Sequence, residues 1–191
     1  VLLLVMILPA TAWAGEWTLD GAASDLTVLS MKKEKVAEVH HFSGLSGIIY
    51  GNSAKFEVDL ATIESGISIR NERMRSMLFE ISRFSTATIT ADLSAINYQL
   101  LKVGEMLTTS LPFTLDLHGM KKDFTAQIRV VALAEHKLLI TSRRAVIVKA
   151  ADFQLEDGIE ALRQIAKLPS IAQAVPVSFQ LQFARRGDVP Q

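Results

Sequence analysis

The chain has 191 residues, 49% of them hydrophobic, and its 20 basic side chains are matched by 20 acidic ones. A formal net charge of zero offers polyanions no global field, which argues against a nucleic-acid partner, and the length suits a single domain of the larger all-β kind. The absence of cysteine removes disulfides, thiolate metal sites and a lipid on an N-terminal cysteine.

Residues 1–14, VLLLVMILPATAWA, join an apolar run from Val1 to Leu8, a helix-breaking Pro9 and a small-x-small site at Ala12, Trp13 and Ala14. They predict a secretory signal, export to a bacterial periplasm and a domain covering 15–191. The run falls short of the roughly 20 apolar residues of a bilayer span, so no stable membrane anchor is expected.

Strands are predicted at 26–31, 36–42 and 47–50. AKFEVDL at 54–60 then sets Phe56, Val58 and Leu60 on one face against Lys55, Glu57 and Asp59 on the other. A further strand is predicted at 67–70. TATITADL alternates Ala87, Ile89, Ala91 and Leu93 with polar residues, LPFTLDLHG alternates Leu111, Phe113, Leu115 and Leu117, and DFTAQIRV alternates Phe124, Ala126, Ile128 and Val130. One strand is expected over 137–148 and another in VPVSFQLQF, with Val175, Val177, Phe179, Leu181 and Phe183 on one side. Turn signals such as Gly51-Asn52-Ser53, Ser65-Gly66, Gly104 and Gly119 separate the runs. Residues 158–168 instead keep helical spacing through Ile159, Leu162, Ile165 and Ala166 until Pro169. About ten alternating strands must close on themselves, as a barrel or as two packed sheets, and the favoured expectation is an antiparallel β-barrel with one or two short helices. A barrel of about eight strands is either filled by side chains or holds one ligand.

Catalytic and metal motifs are weak. His40 and His41 point to opposite faces of a strand, so they cannot jointly chelate one ion without a bend. SGLSG at 43–47 lacks the spacing of a nucleophile elbow and reads as a turn. Asp59 faces solvent, glycine-rich phosphate loops are absent, and no cofactor is expected.

The stretch RNERMRSMLF, residues 70–79, breaks the period of two with three arginines among two methionines, a leucine and a phenylalanine. As a short helical turn it groups Arg70, Met74 and Met77 or Leu78 on one side. It either plugs one barrel end, its arginines solvated or paired to Glu72 and Glu80, or it lines a cavity mouth. In the second reading its methionines adapt to a flexible tail and its arginines meet an anionic head. The candidate ligand-binding residues are Phe42, Ile67, Ile69, Arg70, Asn71, Arg73, Met74, Arg75, Met77, Leu78 and Phe79.

WTLD at 17–20, FSGLSG at 42–47, IRNERMRSMLF at 69–79 and LDLHGMKK at 115–122, in that order, resemble the YceI-like proteins across nearly all of the chain after the signal. The segment 158–179 is similar to a bacterial branch of that family. The resemblance implies an extended, lipocalin-like antiparallel barrel, usually periplasmic, that in some members holds a polyisoprenoid or another long amphiphile, and it implies no enzymatic activity. Where the family often has His-Ser after the first strand this chain has Ala23-Ser24, and Asn71 stands where many members are acidic.

The leading expectation is therefore a periplasmic carrier of an isoprenoid or similar amphiphilic lipid, as a monomer or a homodimer. One alternative is a filled barrel acting as a stress-response or protein-interaction module through 70–79 and LPSIAQAVPV at 168–177. Another, an enzyme, requires a polar cluster converging inside the barrel.

Overall fold

The computed structural model describes residues 16–185, so the predicted signal at 1–14 lies outside it. Twelve strands form a single sheet: β1 (Trp17–Leu19), β2 (Asp25–Lys32), β3 (Val36–Phe42), β4 (Leu45–Tyr50), β5 (Ser53–Asp59), β6 (Ile63–Glu64), β7 (Thr86–Asp92), β8 (Met106–Leu117), β9 (Met120–Ala134), β10 (Lys137–Ser142), β11 (Val146–Lys149) and β12 (Ala174–Arg185). Two helices, α1 (Ser68–Arg73) and α2 (Glu156–Ile165), interrupt them.

Eight strands close a ring in the order β1, β4, β5, β7, β8, β9, β10, β12, and β12 pairs back with β1. Neighbours in the ring are antiparallel and β12 closes back on β1, so the ring has no free end strand, although β7 pairs with β8 only through Thr88, Ile89 and Thr90. The remaining strands extend the same wall. β12 continues beyond the ring to pair with β2 on one side and β11 on the other, with Phe179 opposite Leu26 and Val177 opposite both Val28 and Val146. β3 then pairs with β2, and β6 with β3. β2, β3 and β6 thus carry the wall on from β1, β4 and β5, separated from them by short 3-10 turns at Gly21–Ala23 and Leu60–Thr62 and by a bend at Ser43.

Alternation sets the faces. Phe56, Val58, Ala87, Leu115, Leu117, Ala126, Ile128, Val130, Leu181 and Phe183 are all buried inside, as the period of two requires. The floor of the ring is packed by Ile49, Leu93, Ile96 and Tyr98, whose hydroxyl donates to Gly51 O at 2.8 Å. The β8–β9 hairpin turns through His118 and Gly119, both left-handed at φ 54° and 75°, the two-residue geometry that matches strand twist. His118 Nδ1 lies 3.1 Å from Phe153 O and ties this turn to an aromatic stack in which the buried Phe153 packs on the partly buried Phe124, and that ring on the partly buried Phe113.

Two expected strands differ. Residues 67–70 are instead the extended N-cap Ile67 and the first turn of α1, because β3 offers a partner only to Ile63 and Glu64 and Gly66 (φ 76°) then turns the chain away from the sheet. Residues 137–148 split into β10 and β11 around Arg143-Arg144-Ala145. There Ser142 Oγ accepts from Phe179 N at 3.0 Å, and Arg143 N donates to Gln127 O at 2.7 Å, holding the bend.

Candidate functional site

One end of the barrel is capped by helical segments. Ile67 is extended, and its carbonyl accepts from both Arg70 N and Asn71 N at 3.0 Å, starting α1. Asn71 is buried and locks the approach: its Oδ1 accepts from Ser65 N at 2.9 Å and Ser65 Oγ at 2.6 Å, while Nδ2 donates to Glu64 at 3.0 Å. From Met74 to Leu78 the helix widens into a π-turn, closed by Phe79 N donating to Met74 O at 2.9 Å. The wider turn brings Met74, Leu78 and Phe79 to the same inner surface, and such turns often mark functional sites.

α2 crosses this cap with Ile159, Leu162 and Ile165 inward, and the capping segments touch at Gly158. A Cβ there would lie 2.6 Å from Met77 O and 2.9 Å from Leu78 Cα, so only glycine permits the approach. Arg163 fixes the C-terminal end, with Nε and Nη2 each 2.7 Å from the carboxylate of Glu160 and Nη1 donating to Leu168 O at 2.8 Å.

Between floor and cap the interior is open, with a cavity of about 590 Å³ walled almost entirely by carbon. Leu26 and Val28 of β2, Val146 and Val148 of β11, and Val175, Val177 and Phe179 of β12 face inward yet are only partly buried, because the space before them holds no side chain. Ordinary protein cores have few voids larger than a water molecule. This one falls within the roughly 300–1,000 Å³ of small-molecule sites.

The cavity opens beside the cap. Ile67, Ile69 and Ile165 line it and are also exposed, at 45%, 50% and 47%, which marks the mouth. The inward faces of β2 and β3 turn polar here: Ser30 and Lys32 follow Leu26 and Val28, and Glu38 and His40 precede Phe42. Arg70 and Arg73 of α1 complete the group. Glu38 Oε1 receives Arg70 Nη1 at 3.0 Å and also Lys32 Nζ. Burial pushes the Glu38 carboxyl up, but the Lys32 hydrogen bond and the charges of Arg70 and Lys32 outweigh it and hold it below its ordinary value. His40 is buried, its Nδ1 has no hydrogen-bond partner among the described residues, and burial followed by the nearby Arg70 lowers its pKa. His41, one residue on, points out to Asp25 at 3.3 Å.

Of the residues singled out from sequence, Phe42, Ile67, Ile69, Arg70, Arg73, Met74, Leu78 and Phe79 line the cavity. Asn71, Arg75 and Met77 do not: Asn71 is spent on the Glu64–Ser65 turn, and the Arg75 charge acts on Glu64. Sequence reading missed Lys32, Glu38 and His40, although carrying the β2 and β3 alternation to their ends places all three inward. Among the described residues, no cluster of three His, Asp or Glu side chains is arranged to hold a metal, and no helix is long and apolar enough to cross a membrane.

A closed antiparallel barrel with a hollow, apolar interior and a polar mouth belongs to the container class of β-barrels, as lipocalins do. Within that class this chain belongs to the YceI-like domain family, whose model matches residues 17–183. It is similar to a polyisoprenoid binding domain from Saccharophagus degradans, implicated in plant cell wall breakdown, at 38% identity and a TM-score of 0.86 over 88% of this chain and 98% of that one. Burkholderia cenocepacia BcnA shares the fold at 17% identity and a TM-score of 0.64, covering 86% of this chain and 98% of that one. The Campylobacter jejuni YceI protein shares it at 12% identity and a TM-score of 0.56, over 78% and 85%. No curated protein sequence matches.

Proposed function

We propose that the protein is a non-catalytic periplasmic carrier for a long-chain amphiphile, a polyisoprenoid above other classes. The observation that carries this reading is the 590 Å³ apolar hollow inside a closed barrel. At about 30 Å³ per water-sized group, it has room for a chain on the order of twenty carbons. The polyisoprenoid class comes from the Saccharophagus domain, and the periplasmic location from residues 1–14.

Burying such a tail at about 0.8 kcal/mol per CH₂ gives roughly 16 kcal/mol gross. Charge-assisted hydrogen bonds to a head add only about 1.5 to 3 kcal/mol each. Ordering costs remove much of the gross figure, so the tail supplies affinity and the mouth supplies selection. Among the described residues the single cavity-lining carboxylate, Glu38, is held by Lys32 and Arg70 and is a poor general base, which disfavours an enzyme. The open interior disfavours a filled interaction module.

Native mass spectrometry of protein purified from a bacterial periplasm tests the reading. A co-purifying lipid, or uptake of added C20 prenyl alcohol at one per barrel, is expected. Protein that emerges empty and takes up no prenyl lipid refutes it.

A further inference from the structure

We propose that the amphiphile's head is an oxyacid anion, phosphate or carboxylate, seated between the imidazole of His40 and the guanidinium groups of Arg70 and Arg73. This rests on the carrier reading and narrows its ligand.

Buried polar atoms in proteins are hydrogen-bonded as a rule, with protein or ordered water. His40 is 7% exposed, lines the cavity, and has a buried Nδ1 with no partner among the described residues. Its neighbours in chain order, Glu38 and Phe42, share the inner face, so the imidazole stands where the polar mouth meets the oily interior. An amphiphile whose tail fills the hollow places its head at that boundary.

The charges there do not balance. Lys32, Arg70 and Arg73 line the same space as one carboxylate, Glu38, and Lys32 and Arg70 both use its Oε1. Arg73 has no acidic partner among the described residues. Lys55, the other cation on the wall, is paired with Glu57 at 2.8 Å. An alcohol or quinone head would give His40 a hydrogen bond but leave the cationic surplus uncompensated, whereas an oxyanion answers both, and guanidinium groups suit its geometry. Glu38 then has a positioning role, holding Arg70 toward the head.

A proton follows from the same arrangement. His40 is surrounded by Lys32 on β2, Glu38 and His41 on β3, and Arg70 on α1; burial and then Arg70 favour its neutral form. A seated anion favours the charged form. Anion binding therefore takes up a proton at His40, and preference for the anionic head grows with falling pH until the head takes up a proton of its own.

Three C20 ligands with one tail, geranylgeranyl phosphate, geranylgeranoic acid and geranylgeraniol, are titrated calorimetrically into lipid-stripped protein. The proposal expects at least one anion to bind about tenfold tighter than the alcohol, the scale of one charge-assisted bond. Preference for the phosphate alone, or for both acids, names the source of the head. Arg73→Gln and His40→Gln should each bring the ratio to within about threefold, while Arg75→Gln, the same charge loss outside the cavity, should leave it unchanged. Arg73 is at the mouth and partly exposed, so its variant keeps the test valid if the buried His40 change unfolds the barrel. Equal affinity for all three ligands, or a ratio that Arg73→Gln leaves intact, overturns the anionic head but leaves the carrier standing. Failure of all three to bind overturns both.

Discussion

Phe153 and Phe179 both project inward, yet their removal should have very different costs. Phe153 has 0% exposure and sits against Phe124 with ring centroids 6.2 Å apart. Burying a phenyl side chain covers about 150–250 Å², worth roughly 4–6 kcal/mol at about 25 cal/mol per Å². Truncation also opens a new void, so Phe153→Ala should cost about 3–5 kcal/mol. Phe179 instead faces the hollow and is only partly buried. Its ring already lacks partner atoms on one side, and its loss enlarges an existing space rather than creating one, so about 1–2 kcal/mol is expected. At about 2–4 °C per kcal/mol for a domain of this size, that is roughly 6–20 °C for Phe153→Ala and 2–8 °C for Phe179→Ala. Differential scanning calorimetry on lipid-stripped protein, with urea titration as a second measure, reads both. Equal losses near the larger figure would mean that Phe179 is packed on all sides and the hollow does not exist.

Gly158→Val should push α2 off the π-turn and cost about 1–3 kcal/mol, with faster hydrogen exchange confined to residues 74–79 and 156–165; uniform change across the barrel would contradict this. The hydrogen bonds from Arg163 and then Gln164 bring the Glu160 carboxyl down to about 2, so its folded value lies below the unfolded one. The contribution of the pair is complete above the ordinary carboxylate range and fades as pH drops from about 4.5 toward 2. Exchange in α2 should rise over that window, and Glu160→Gln should abolish the pH dependence. Asn71→Ala removes both anchors of the 64–71 turn and should cost about 1–3 kcal/mol without altering the preference among amphiphile heads; a change in that preference would make Asn71 a ligand contact.

The all-β closure was legible because the strands are amphipathic: Phe56 and Val58, or Ile128 and Val130, alternate with polar neighbours, a pattern that a barrel and a pair of packed sheets both bury, and the ring pairing of β12 with β1 decides for the barrel. The cap was less so. Ile67 and Ile69 alternate as a strand would, and their helical fate depends on β3 offering no partner past Glu64, which is tertiary information. Arg70, Arg73 and Met74 were found at the cavity because they interrupt a period. Lys32, Glu38 and His40 were missed because inward polar residues near strand ends look the same in sequence as solvent-facing ones. Asn71 shows the converse: it lies within the right segment, but its amide is committed to Ser65 and Glu64. The cavity itself was not readable, since a filled and a hollow barrel share one alternation pattern and differ in how far facing side chains reach.

The central claim is an oily space inside the barrel that a hydrocarbon chain can enter. Xenon-129 NMR on lipid-stripped protein tests it directly, because xenon partitions into dry apolar cavities. A saturable shift from bound xenon, lost when one equivalent of C20 prenyl alcohol is added, is the predicted result. No xenon binding, or binding indifferent to the alcohol, would contradict it.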